Sequence, residues 1–253
     1  MRVVMSSAPQ PFLTRAEPLL KTDPFTTSVI TTVTTRIASG AVPNSGENLW
    51  HTIEGAHGDV IGVAMHTPPY NMFLSRMPRD AAIALAHDVT DRRRELPGVN
   101  GASESTAAFA EAWEAITGCS SRVDRAMRMY RLADLIWPEA VLGKAYRAEL
   151  SETGMVAEWF AEFHDEAQPD APVDDWTAMA QRRIEAGDVH LWRAEDATVA
   201  LRQSARLRRV SHGLDPSTRL RAVVGMDTAA ASPRRRLQQL WAWVPNTSCS
   251  TPI

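Results

Sequence analysis

The chain changes character at Leu201, and that break limits what the whole can fold into. From Arg202 to Ile253 there are nine arginines (Arg202, Arg206, Arg208, Arg209, Arg219, Arg221, Arg234, Arg235 and Arg236) against two acids, Asp215 and Asp227, a net charge of +7. The first 201 residues carry 18 basic and 28 acidic side chains, a net charge of −10. Before the break apolar residues recur at helix and strand periods; beyond it they do not. One explanation is a basic arm for nucleic acid, whose binding would weaken steeply with salt. The segment lacks the aromatic interleaving and amphipathic order of such an arm, so nucleic acid ranks last among the expected partners. The other explanation, that these residues were never selected as protein, accounts for both the charge and the lost period.

A chain of 253 residues, 44% hydrophobic and 23% charged, has material for one large core or two small ones. Its start, MRVVMSSAPQPF, has no apolar export segment, and no stretch reaches the roughly 18 apolar residues of a membrane span. The expectation is a cytoplasmic protein with no membrane partner. Cys119 and Cys249 lie far apart, so neither a disulfide framework nor a metal cluster is expected, and no metal ligand is assigned. Arginine outnumbers lysine 25 to two, a bias that reflects a GC-rich genome more than a function.

Helix and strand signals alternate along the first part. Asp23-Pro24 predicts an N-cap and first helical proline, followed by Phe25, Val29, Ile30, Val33 and Ile37 at helical spacing. Strands are expected at Leu49–Ile53 and Val60–His66, divided by Gly55 and Gly58. Pro78 opens a helix with Ile83, Leu85 and Val89 that ends at Arg92-Arg93-Arg94, cations suited to a helix C-terminus. Leu96-Pro97-Gly98-Val99-Asn100-Gly101 reads as turns. Ser103 then caps a helix whose Phe109, Trp113 and Ile116 share a face and which Gly118 stops. A strand at Arg125–Leu132 and a linker at Trp137-Pro138 close this half, residues 1–137.

The second half, residues 144–201, begins with a strand at Tyr146–Leu150. Ser151 caps a helix carrying Met155, Val156, Trp159, Phe160 and Phe163 on one stripe. Asp174 and Asp175 cap another, with Trp176, Met179, Ala180 and Ile184 inward and Gly187 at its end. Val189 and Leu191, then Val199 and Leu201, form a hairpin turning at Glu195-Asp196. The order is strand, helix, helix, strand, strand. With Glu158-Trp159-Phe160-Ala161-Glu162-Phe163 and Leu191-Trp192, this run resembles a subgroup of GNAT-type N-acetyltransferases that carry a divergent GNAT-like half ahead of the catalytic one. His66-Thr67-Pro68-Pro69-Tyr70 and Leu96 to Gly101 are similar to features of that leading half, so the resemblance covers residues 11 to 201. It implies an α+β fold, a mixed sheet flanked by helices in two halves, the second incomplete. It also implies acetyl-CoA as cofactor and, as acceptor, a small-molecule amine or a protein N-terminus.

The family needs, after the hairpin, a strand and an R-x-x-G-x-G loop leading into a helix. Glycines let the backbone approach the pyrophosphate, and amides at a helix N-terminus hold its charge. Gly213 and Gly225 are the only glycines beyond the break, so no cofactor-binding residue is intact. Back-translation one frame over changes the picture. With GC-rich codons, Asp215 to Ser232 becomes PVYTPARRRGYGYGSGV and Leu240 to Ile253 becomes LGVGAEHVLLYTD. Met226-Asp227, Trp241-Ala242 and Trp243-Val244 yield glycine whatever codons are used. We therefore expect a frame shift between about Val199 and Arg209, a disordered basic tail over 202–253, and an inactive product of an acetyl-transferring ancestor.

No catalytic residue is assigned. The pocket candidates are Trp159 and Phe163, because the family lines its acceptor site with the first two helices, and Tyr70 and Asn100, in turn-rich segments where function collects. Helical spacing alone makes Trp159 and Phe163 core residues, and turn chemistry alone explains the other two. His164-Asp165-Glu166 reads as a solvated helix end, His190 and Trp192 as sheet surface, and Cys119 as unreactive. A non-catalytic binding module for a small molecule or protein is the alternative function.

Overall fold

The computed structural model describes residues 1–92, 96–129, 136, 141–167 and 175–203, with the backbone of 204 and 223–226. It is an α+β protein of two compact units, dividing after Met129. The linker expected at Trp137-Pro138 lies outside the described residues, as does Asp174.

The first unit opens with strand β1 (Arg2–Ser6) and helix α1 (Pro9–Thr22), neither of which the sequence pattern announces. Pro9 and Pro11 sit in the first turn of α1, where a missing N–H leaves no helical bond unmade. Its buried stripe is Phe12, Ala16 and Leu20, four residues apart. Helix α2 (Ser28–Ala38) starts later than Asp23-Pro24 predicts. The Asp23 carboxylate accepts from the Thr26 amide at 3.2 Å, and its carbonyl accepts from the Thr27 amide, so Asp23 closes a turn ahead of the helix.

Strands β2 (Leu49–Glu54) and β3 (Val60–His66) form the expected hairpin. Two short strands correct the turn reading: β4 (Met72–Leu74), and β5 (Val99–Gly101) within the run read as turns. Helices α3 (Arg79–Asp91) and α4 (Ser103–Thr117) follow β4 and β5. Ala102, not Ser103, holds the cap position of α4, and Ile116 is exposed although Phe109 and Trp113 are buried. Gly118 ends α4 in the left-handed region, as expected. No regular element forms at Arg125–Met129, so the described part of the strand expected there is absent.

The sheet order is β1-β2-β3-β4-β5, antiparallel except for the parallel β4–β5 pair. Alternation sends Trp50, Val63 and Met65 to one face, against Phe12 of α1 and Ile30 of α2. Ile53, Ala64, Met72 and Leu74 point to the other, against Leu85 of α3 and Phe109 of α4.

The second unit comprises β6 (Lys144–Arg147), a 3-10 turn (Leu150–Glu152), α5 (Thr153–Ala167), α6 (Trp176–Glu185), β7 (Val189–Ala194), β8 (Ala197–Ser204) and β9 (Val223–Met226). Its sheet order is β6-β7-β8-β9, all antiparallel. The cap differs from expectation: Glu149 and Glu152 form a capping box, and Ser151 lies inside the 3-10 turn. Asp175 caps α6 as expected, accepting from the Ala178 amide at 2.9 Å. The hairpin turns at Glu195, which takes φ 53°. Val156, Phe160, Ala180, Ile184, Val189, Leu191 and Leu201 form one cluster under α5 and α6. Beyond the break, β8 continues to Ser204 and β9 pairs with it; the rest of the tail lies outside the described residues.

Both units therefore read strand, helix, helix, strand, strand, strand, with the same neighbour order and the two helices over one sheet face. The first unit continues with α3, β5 and α4.

Candidate functional site

The resemblance places a cofactor where two central strands part and where the following loop enters a helix. In the first unit those parts are β4, β5 and the loop from Ser75 to Pro78. The strands do not part. Met72, Phe73 and Leu74 pair with Val99, Asn100 and Gly101, the Met72 amide donates to the Gly98 carbonyl at 3.1 Å, and the Leu74 carbonyl accepts from the Ala102 amide at 3.3 Å. Gly101 makes this closeness possible. It holds φ +135°, and a Cβ there would lie 1.9 Å from the Leu74 carbonyl oxygen.

The loop is equally committed. The Ser75 amide donates to the Val63 carbonyl and the Ser75 hydroxyl accepts from the Val63 amide at 3.0 Å. The Met77 amide donates to the Ser105 hydroxyl at 3.0 Å, and Pro78 has no N–H to offer. The Met77 side chain is buried over Gly62, where an added Cβ would come within 2.7 Å of the Met77 Cβ. Asp80 adds a negative charge to the first turn of α3, where an anion would otherwise be favoured. Ser75, Met77 and Pro78 therefore offer no free N–H to a pyrophosphate.

The second unit reaches the same point and has no glycine loop among its described residues. Gly225 is paired with Arg202 in the β8–β9 ladder, and Gly213 lies outside the described residues. The residues that would follow β9 lie outside the described ones.

The four pocket candidates fall in two places. Trp159 and Phe163 lie one turn apart on α5, half-buried and packed on the second unit's apolar cluster. Tyr70 is 45% exposed in the turn after the cis Pro68-Pro69 bond. Asn100 stands on β5 beside Phe73, on the face that α1 and α2 cover, and its Oδ1 is buried without a hydrogen-bond partner. His164 corrects the reading of a solvated helix end. It is buried, with its ring 5.0 Å from that of Trp176, while Asp165 and Glu166 are exposed as expected. His190 and Trp192 share a sheet face as expected, and the Trp192 indole donates to the Leu142 carbonyl at 3.0 Å. Arg92 is held by Asp88 through two hydrogen bonds of 2.9 Å, which raise its pKa; Arg93 and Arg94 lie outside the described residues. Cys119 is disulfide-bonded, against the expectation that no disulfide framework forms.

Sequence reasoning missed a polar cluster at the open end of the β6–β7–β8 sheet. The Tyr146 hydroxyl donates to Glu152 Oε1 at 2.8 Å, lies 2.9 Å from the Thr198 hydroxyl and accepts from Arg193 Nη2 at 3.0 Å. Arg193 also stacks 4.6 Å from the Tyr146 ring centroid. The same Glu152 closes the capping box, so this hydroxyl ties the start of α5 to the hairpin. Tyr146→Phe is expected to cost about 1 kcal/mol, and amide exchange should quicken in β6 and the 3-10 turn while the first unit is unaffected. Long-range hydrogen bonding of this kind leaves no periodic trace in sequence.

No protein-family model, curated protein or solved structure matches the chain. Among the described residues, no group of three His, Cys, Asp or Glu side chains is placed to hold a metal ion, and no helix is long and apolar enough to cross a membrane.

Proposed function

We propose that the gene descends from an acetyl-CoA-dependent N-acetyltransferase of GNAT type, and that the chain as it stands has lost the cofactor half of its second unit. The acceptor class is an amine, on a small molecule or a protein N-terminus. The observation that carries this reading is the repeat. The second unit follows the first through strand, helix, helix, strand and strand, and the codons of the sixth element, β9, are those that GC-rich codon choices turn into R-R-R-G-Y-G one frame over. Trp159 and Phe163 would line the acceptor side, since they lie on the first of the second unit's two helices. In the intact ancestor the cofactor supplies the thioester. The protein's part is to orient the amine and place backbone N–H donors at the developing oxyanion.

The test compares the existing chain with a frame-restored chain, read one frame over beyond codon 209, in calorimetric titration with acetyl-CoA and in release of free CoA with an amine panel. The restored chain is expected to bind and turn over, and the existing chain to do neither. A restored chain that folds but ignores acetyl-CoA, or a neighbouring frame closed by early stop codons, overturns the proposal. The buried and unpartnered Asn100 Oδ1 favours a second reading, a non-catalytic binding first unit; stabilisation of the existing chain by an amine without acetyl-CoA would support it.

A further inference from the structure

A strand at the end of a sheet leaves one side of its backbone unpaired, and proteins blunt such edges by shortening or charging them. In the second unit β6 is charged. Lys144 and Arg147 stand exposed at its two ends, so antiparallel pairing with a second β6 about its midpoint would set Lys144 against Arg147. In the first unit β5 is short, three residues ending in Gly101. The opposite edge, β1, has neither protection. Its five residues, Arg2 to Ser6, pair with β2 along their whole length, and among the described residues no backbone hydrogen bond reaches their outer side. The one charge, Arg2, sits at the end of the strand, its side chain 74% exposed. Val3, Val4 and Met5 are half-buried, because α1 and α3 both touch the strand and Val3 packs on the cluster of Ile53 and Leu85. Those helices cover the faces of β1, whereas the side that pairs lies in the plane of the sheet.

We propose that the β1 edge is a self-association surface, and that a second copy of this chain pairs with it antiparallel about a two-fold axis through Val4. The order of the residues selects this occupant. The axis opposes Val4 to the partner's Val4, Val3 to the partner's Met5 and Arg2 to the partner's Ser6. Every residue of the strand is then paired and no like charges meet. Alternation puts the Val3–Met5 pairs on the α3 side of the seam and the Val4–Val4 pair on the α1 side, so both faces of the joint are apolar. An axis moved to Val3 or Met5 would leave one end of the strand without a partner. The arrangement is an isologous pair, in which backbone bonds supply the attraction and the side-chain pattern the register. It uses none of the residues on which the acetyl-transfer reading rests, so the two stand or fall separately.

The test is sedimentation of the full chain across a range of concentrations, joined to cysteine cross-linking read by peptide mapping, which sets the native cysteines apart. A monomer–dimer equilibrium is expected by about 100 μM. Val4→Cys should form a disulfide between the two copies, since residues opposed across a seam have Cβ atoms about 4.5–5.5 Å apart. Arg2→Cys should not, because the two Arg2 positions would lie about 13 Å apart along the strands. Val4→Lys sets like charges directly opposite and should weaken the dimer at least about fivefold; if that variant fails to fold, the cross-linking pair still decides. A chain that stays monomeric overturns the proposal, and slow amide exchange of β1 in that monomer would mean that another segment of the same chain covers the edge. A dimer that Val4→Cys does not link, or that Arg2→Cys links as readily, uses another surface and overturns it too.

Discussion

Replacing Gly101 by alanine is expected to unfold the first unit. The new methyl would sit 1.9 Å from the Leu74 carbonyl oxygen and 3.0 Å from the Leu74 nitrogen, and the backbone would have to keep φ +135°. That region is open to glycine and closed to residues with a Cβ. Both obstacles are backbone atoms of a paired strand, so no side chain can yield. Relief requires β5 to leave β4, which strips Val99 from the cluster of Leu74, Leu85 and Phe109. A loss of about 3 kcal/mol or more follows, in the range reserved for strain at a special φ/ψ or core disruption. Gly118→Ala is the control. Its φ is +74°, but nothing lies within 4 Å of the added atom, so only the left-handed backbone cost of about 1 kcal/mol remains. Amide exchange resolved by peptide should show β4, β5 and α3 losing protection in the first variant only.

Trp50→Ala should be nearly as damaging. Trp50 is fully buried, its ring centroid lies 6.3 Å from that of Phe12, and its indole donates to the Thr34 hydroxyl at 2.8 Å. Removing a buried indole costs about 3–5 kcal/mol through lost transfer energy and the cavity left behind. Trp50→Phe separates the two contributions. It keeps most of the apolar contact and loses the bond to Thr34, so about 1–2 kcal/mol is expected. Thermal unfolding of the first unit checks both, and an alanine variant as stable as wild type would mean that α1 and α2 do not anchor through this residue.

Much of this architecture was legible because its longer elements carry clean periods. The hairpin of Leu49 to His66 shows alternation between glycines, and α5 and α6 show apolar stripes. What escaped was short or decided at a distance. β5 has three residues, and its Asn100-Gly101 end imitates a turn; it becomes a strand because β4 lies beside it with room only for Gly101. The start of α2 was misplaced because Asp23 has two local uses for its oxygens and tertiary context chooses the turn. His164 was misjudged through its exposed neighbours, since nothing in Asp165 or Glu166 announces the Trp176 ring that covers it. For the candidate site, the sequence named residues by type; only the hydrogen bonds of Ser75, Met77 and Leu74 reveal a joint whose Ser75 and Met77 amides are already taken.

The apolar cluster of the second unit has Leu201 as its last member. Every residue that this core uses therefore precedes the arginine-rich tail in the chain. The β7–β8 hairpin closes locally, β6 joins it from the N-terminal side, and the helices already have their sheet. A frame shift beyond Leu201 would leave this cluster intact and change only what is translated afterwards.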